Sequence, residues 1–528
     1  MTGSTGDVGK QGVGLRKELS LLEITIIGLV GAIGTGILFS TAKMAEVAGP
    51  AVVLAWILGG IFYLFIGLTY AELGTAYPEA GSPSRFSLYT HGRITNMLNA
   101  FADLLWYLFI PPIEAIAVVY GINFFTHNLV APSGAPTLLG AVVAALLILL
   151  MVPFNYFGVR GFGISTTILG VIKVILYLLV AIGLMAMVFI PRNFGGLPGG
   201  FLPYGLVGVF MAIPYGMFAF GGVRVIPDFA EEMRNPHRDI PLGIILVVVL
   251  QLLVYILFSV AFVGAIDWSR LNVTPGQWSS LSFIRKTNPF LYLSSLYGVS
   301  LVFIVTTIVA IIGPFVVGYI YLGGGTRILF AMGRSGYVPN LMKFIHEKYA
   351  IPYWALITFG IIGILLALLT APIPSIYGLI DDAVVAGYLG FLTNPVAMIV
   401  NRRQGVPVRF RLPGGFWIGL IAFIGASYIT YWSGWPAVPY AVAFVFVASA
   451  IFGAIYKVRQ NFTNAIWYVI YMLILTLLTY IGQTAGGPTP ILVFPWDMVT
   501  VTVLAIIFYI WGIYSGLPKP YTTSPVKS

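Results

Sequence analysis

Apolar residues occupy this chain in long unbroken blocks, with the polar ones collected between the blocks instead of alternating with them. A helix needs about 20 apolar residues to cross ~30 Å of hydrocarbon. That rule predicts fourteen spans, at 21–41, 51–76, 97–127, 137–156, 163–190, 203–230, 241–266, 291–331, 353–370, 375–400, 415–434, 437–456, 465–484 and 496–515. Gly434 and Pro436 divide the eleventh from the twelfth, since both residues end helices. Residues 1–20 are polar and Gly-rich with no apolar run ahead of a small-residue cleavage site, so they read as a cytoplasmic tail, and 516–528 reads as a second one. The expected fold class is an all-α polytopic membrane protein.

Charge sets the direction of the spans. With the N-terminus inside, twenty of the 27 Lys and Arg fall on the inner side and five on the outer, while Lys173 and Arg224 lie within spans. Such a bias places the basic side in the cytoplasm, both termini with it, and predicts a multi-pass protein of the cell membrane. The formal charge of +10 is therefore topological; scattered in ones and twos, these cations form no tract that would follow a nucleic acid. Only 8% of the 528 residues are charged, against about 25% in soluble domains, which excludes a soluble globule. There is no Cys and there are four His, all near loops, leaving no disulfides, no thiolate metal site and no facing histidines for haem. No cofactor or metal is expected.

Two spans carry breaks at corresponding places. The first holds Gly31-Ala32-Ile33-Gly34-Thr35-Gly36, and the sixth holds Pro214, Phe218-Ala219-Phe220-Gly221-Gly222 and Pro227. Taken singly, such glycines also suit close helix packing. As a pair five spans apart they point to a transporter of two inverted repeats, 21–190 and 203–400, broken at 31–36 and 218–222. Unwound backbone at mid-membrane depth is tolerated where it meets a polar ligand, and a zwitterion fits. Its carboxylate would take the amides of Ile33 to Gly36 and the Thr35 hydroxyl, and its ammonium the carbonyls near Ala32 and Phe218 to Phe220. Ala219 and Gly222 complete this candidate substrate site, and Phe220 is either a lid over it or an ordinary core or lipid-facing ring.

The segments GAIGTGILFS (31–40), AELGTAYPEAGSPSRF (71–86), FAFGGVRVIPDFAEEMRNPHRDIP (218–241) and TRILFAMGRSGYVPNLMKFIHEKYAIPYWAL (326–356) resemble the amino acid-polyamine-organocation superfamily of transporters. The resemblance implies the fold of the bacterial sodium-coupled leucine symporter and an amino acid substrate at the two breaks. The four further helices at 415–515 are similar to the fourteen-helix cationic amino acid transporter branch. In proton-coupled members a lysine in the VIK-type segment of the fifth helix stands where sodium-coupled relatives hold their ion, which implies that role for Lys173 and makes a proton, not sodium, the coupling ion.

An ionisable side chain at mid-membrane depth is a functional hypothesis by default. Lys173 is either that proton site, a permanently charged partner of an interior carboxylate, or a side chain reaching for the interface. Glu114, beyond the helix-kinking Pro111-Pro112 pair, is its expected partner or that of a substrate ammonium. Arg224 departs from the family, which commonly has an acid there; it either receives an acidic side chain or pairs internally with Glu114 or Asp228. Glu72, Asp228, Glu231 and Glu232, with Arg234 and Arg238, form an expected inner gate or a solvated loop face, and Asp381 and Asp382 lie near the outer entrance. The function that follows is secondary active transport of amino acids by alternating access, as a proton symporter or an exchanger. A channel or nutrient sensor on the same scaffold is the competing class. An enzyme or pump is not expected, because no GxxxxGK[ST] loop or soluble catalytic domain interrupts the spans. The expected partners are the substrate and the lipid bilayer.

Overall fold

The computed structural model describes residues 14–34, 36–286, 288–298, 300–370 and 385–522. Thr35, Asp381 and Asp382 lie outside the described residues. Among the described residues the secondary structure is helical, and β pairing is limited to isolated bridges. The elements that position the site are α1 (Leu21–Ala32), α2 (Thr41–Ala48), α3 (Val52–Ala76), α4 (Phe86–His91), α5 (Arg93–Thr126), α6 (Leu138–Tyr156), α7 (Val159–Met187), α8 (Gly205–Met217), α9 (Gly222–Asp228) and α10 (Pro236–Gly264). There follow α11 (Pro289–Tyr297), α12 (Ser300–Ser335), α13 (Tyr353–Thr370), α14 (Ala386–Phe391), α15 (Thr393–Arg403), α16 (Gly415–Trp432), α17 (Ala437–Ile455), α18 (Ile466–Ile481) and α19 (Trp496–Tyr514).

Among the described residues, eleven helical stretches are long and apolar enough to cross a membrane. The first, Leu21–Ala76, contains both of the first two expected spans, and Tyr353–Leu369 is a shorter apolar helix. The expected span 375–400 begins outside the described residues and continues as α14 and α15. The expected span 291–331 needs correction: it is two helices, because Gly298 closes α11 at φ +69° before α12 begins; α11 itself starts at the Asn288 side chain, which caps the amides of Phe290 and Leu291.

The helices are inside-out relative to a soluble protein. On α7, Ile168, Ile172, Ile175, Leu179 and Ile182 are exposed, while Gly170, Lys173, Tyr177, Ala181 and Leu184 are buried. A band of exposed Ile and Leu is stable only against hydrocarbon. The helix thus turns its branched aliphatics to lipid and its polar and small residues inward. Inside the bundle α1 packs on α9, α3 on α10, α5 on α12 and α6 on α13. Each of the first four spans therefore meets its counterpart five spans later. The C-terminal helices pack outside this core, α16 along α3 and α17 along α5.

Both described ends of the chain meet the same face. Leu19 pairs with Met233, Arg93 donates to the Ser335 carbonyl at 3.2 Å, and the Leu517 amide donates to Thr90 at 2.7 Å. His91 tightens this face: its Nε2 donates to the Gly512 carbonyl at 2.9 Å. Burial lowers the His91 pKa to about 4, against a weaker opposing pull from the Gly512 carbonyl. Its folded pKa lies below the unfolded ~6.5, so the unfolded chain binds a proton first, and up to about 3 kcal/mol of stability is lost as pH falls through that window. The melting temperature of detergent-purified protein is expected to fall between pH 6.5 and 4.5, and to fall less in His91→Gln; equal losses in both would refute this role.

Candidate functional site

The first break is a redirection of hydrogen bonds. The Ile33 amide still reaches Leu29 at 3.2 Å, but the Gly34 amide turns to the Ala32 carbonyl at 3.0 Å and no longer serves Val30. The Val30 carbonyl is taken instead by Lys173 Nζ at 2.9 Å, and the same ammonium donates to the Gly313 carbonyl of α12 at 2.8 Å. Lys173 is 1% exposed and ties α7 to the broken helix and to α12. Its place on the buried stripe rules out reaching for an interface. A Cβ added to Gly34 would come within 3.0 Å of both Glu114 carboxylate oxygens, so Glu114 lies directly against the break. It acts on Lys173 through space, while the two hydrogen bonds of the ammonium go to carbonyls.

The second break meets the first. α8 ends at Met217, a tight turn spans Phe218–Phe220, and α9 begins at Gly222. A Cβ on Gly36 would stand 2.7 Å from that of Ala219, and a Cβ on Gly222 would stand 1.9 Å from the Gly28 carbonyl oxygen. The glycines therefore serve close packing as well as the breaks: only hydrogen on Cα lets the two segments touch. Of the expected substrate site, Ala32, Ile33, Gly34 and Gly36 on one side and Ala219, Phe220 and Gly222 on the other are buried together, and Phe218 opens the turn. Phe220 faces no lipid. Its ring stacks on Tyr63 at 5.4 Å and meets Tyr255 and Trp56 edge-on at 5.1 and 5.7 Å. The Tyr255 hydroxyl donates to the Ala219 carbonyl, whereas Trp56 Nε1 and the Tyr63 hydroxyl are buried without a protein partner.

Arg224 forms an internal ion pair, but with neither expected acid. Its partner is Asp103 of α5, and both side chains are 1% exposed. Glu114 is at the first break, and Asp228 accepts a hydrogen bond from the Tyr107 hydroxyl. Sequence reading passed over Asp103, although a signal was present. It precedes Glu114 by eleven residues on one helix, three turns, which puts both carboxylates on one face.

Three of the four acids of the expected gate are paired with arginines other than the expected ones, while Asp228 is held by the Tyr107 hydroxyl. Glu232 takes Arg327 through two bonds of 2.7 and 2.8 Å, Glu231 takes Arg334 at 2.7 Å, and Glu72 takes Arg402 at 2.6 and 2.5 Å. Arg234 and Arg238 supply none of these contacts. The reason is geometric: Arg234 follows the turn directly and its amide is used against the Leu19 carbonyl, whereas α12 and α15 bring distant arginines across the same end. Burial pushes the Glu232 carboxyl up, with Arg327 pulling the other way. Breaking a buried pair on one side costs about 3–5 kcal/mol, so Arg327→Gln is expected to loosen this end. The chain has no Cys, which makes a single probe clean: Ser82→Cys, buried beside the Pro227 carbonyl, should react faster with a maleimide in the Arg327→Gln background. An unchanged labelling rate would refute the gate.

A family model, that of the amino acid permeases, matches residues 23–400. The chain belongs to the amino acid permease family. This permease is 27% identical over 525 residues to the glutamate/serine transporter AimA of Bacillus subtilis, covering 96% of this chain and 95% of that protein. It is 29% identical over 527 residues to the aspartate-proton symporter of the same organism, covering 97% and 99%. A cationic amino acid transporter of Arabidopsis thaliana shares 25% over 426 residues, 78% of this permease and 67% of its own length. The family and these relatives are transporters, and the matched region holds both breaks, Lys173 and all four acids of the expected gate.

Proposed function

We propose that this permease is a proton-coupled amino acid symporter of the cell membrane working by alternating access. The observation that carries the reading is Lys173: a buried ammonium completes a carbonyl that the break in the first helix leaves unserved. A cation bound at that point by a sodium-coupled carrier would need the same carbonyls; here a covalently attached cation does the work, and its charge changes by gaining or losing a proton. The substrate's α-carboxylate and ammonium sit at the amides and carbonyls around Ala32 to Gly36 and Ala219 to Gly222. Segments 21–190 and 203–400 are two inverted halves, a reading supported by the packing of each of the first four spans on the one five later. The ion pairs of Glu72, Glu231 and Glu232 close the basic, cytoplasmic side. One of the relatives is named as a proton symporter, which supports the choice of ion. In proteoliposomes, an inward proton gradient is expected to drive concentrative amino acid uptake in the absence of sodium; uptake that requires a sodium gradient overturns the coupling.

A further inference from the structure

Arg224, Arg327 and Arg402 are among the buried and half-buried arginines of this permease that hold carboxylates, and they do not hold them alike. Arg327 grips Glu232 and Arg402 grips Glu72 through the same two atoms, Nε and Nη2. That is the two-pronged edge a guanidinium presents to a carboxylate. Arg224 holds Asp103 through Nη2 alone, gives Nη1 to the Gly387 carbonyl at 3.0 Å, and leaves Nε buried with no protein partner. An N–H without an acceptor in a dry site is costly and calls for an explanation.

The surroundings say what would fill it. The guanidinium is enclosed by the rings of Phe391, Trp106 and Tyr107, at 4.8, 5.4 and 5.8 Å, which hold a cation and keep water out. Phe391 meets Tyr63 edge-on at 5.4 Å, and Tyr63 stacks on Phe220 at the second break. The open prong of Arg224 is therefore separated from the break by one aromatic layer, and Arg224 itself follows Gly222 by two residues on the same half-helix. Within that layer the Tyr63 hydroxyl is also without a protein partner. A ligand anchored at the break and carrying a second carboxylate matches both vacancies.

We propose that the Nε and Nη2 edge of Arg224 receives the side-chain carboxylate of the substrate, so that acidic amino acids are the substrate class, and that Asp103 occupies one prong while the site is empty. The proposal rests on the reading that the substrate's α-groups sit at the breaks. An arriving carboxylate makes two bonds where Asp103 makes one, and Asp103 keeps its contact with Asn99 Nδ2 at 3.4 Å. An aliphatic side chain leaves Nε unmet, and a neutral side chain with one acceptor atom cannot meet both prongs, so neither gains what a carboxylate gains from this edge.

The test compares the full-length protein with Arg224→Lys, which keeps the charge and loses the fork, and with the double variant Asp103→Asn, Arg224→Gln, which removes both charges at nearly constant volume. Uptake of L-aspartate, L-glutamate, L-serine and L-leucine is measured in proteoliposomes, and the thermal shift produced by each in detergent. The unaltered protein is expected to prefer aspartate or glutamate over leucine, and each variant to lower the aspartate-to-serine preference about 10- to 100-fold, the span of a lost charged hydrogen bond. The thermal shift with aspartate should shrink in parallel. Should the double variant not fold, Arg224→Lys carries the comparison. An unchanged preference in a folded variant overturns the proposal, as does an unaltered protein that carries serine and leucine but no acidic amino acid. A protein that carries no amino acid at all overturns the symporter reading beneath it, which the same panel distinguishes.

Discussion

Lys173→Ala is expected to abolish concentrative uptake driven by a proton gradient while leaving substrate exchange measurable. The change removes the donor to both the Val30 and Gly313 carbonyls and the cation acting on Glu114. Removing one partner of a buried charge interaction costs about 3–5 kcal/mol. Taken from the gradient-driven cycle, that corresponds to a rate loss of at least about 100-fold. Exchange requires no net proton movement, so counterflow of labelled against unlabelled amino acid should persist in the same vesicles. Proton-driven accumulation within about threefold of the unaltered protein, a change under 1 kcal/mol, would remove Lys173 from the coupling step. Loss of both activities together with a lowered melting temperature would assign it a purely structural role.

Gly222→Val is expected to prevent assembly of the bundle. The first side-chain carbon would lie 1.9 Å from the Gly28 carbonyl oxygen and 3.0 Å from the Ala32 side chain, and the oxygen belongs to helix backbone that cannot rotate away. Relief requires separating α1 from α9, which strips contacts at both breaks, and overpacking of this kind costs about 3 kcal/mol or more. Gly161→Ala is the matched control. It is also a helical glycine, on α7, but a Cβ there meets nothing within 4 Å. Alanine at such a site is expected to be neutral or to stabilise by about 0.5–1 kcal/mol through helix propensity. Expression and size-exclusion profiles of the two variants in detergent check the contrast. A well-folded Gly222→Val would show that the two breaks need not touch.

Much of the fold is written locally. A span is specified by its own run of apolar residues, so element positions along most of the chain follow from counting, and a mid-span lysine announces itself against that background. The exception within 291–331 shows where counting fails. Both pieces are apolar, and the left-handed Gly298 divides them. The breaks were legible because glycine clusters weaken any helix, whatever surrounds it. That Gly28 and Gly36 serve the contact between breaks was not, since the demand comes from a backbone nearly two hundred residues away.

Pairing among charges was the least legible part. The acids of the gate stood out as a cluster, and neighbouring arginines were the natural partners, yet Arg327, Arg334 and Arg402 arrive from α12 and α15. Arg224 was visible as a charge within a span, but Asp103 met it from α5. By itself the sequence determined that the protein lies in a membrane, where most of its helices run, which two are broken and that Lys173, Glu114 and Arg224 lie within spans. Those properties depend on the transfer of each segment from water to hydrocarbon and on the local stiffness of the backbone. Only the tertiary structure decided what each buried charge touches. A Coulombic pair needs its members within a few ångströms, and helix packing, not chain order, brings them there.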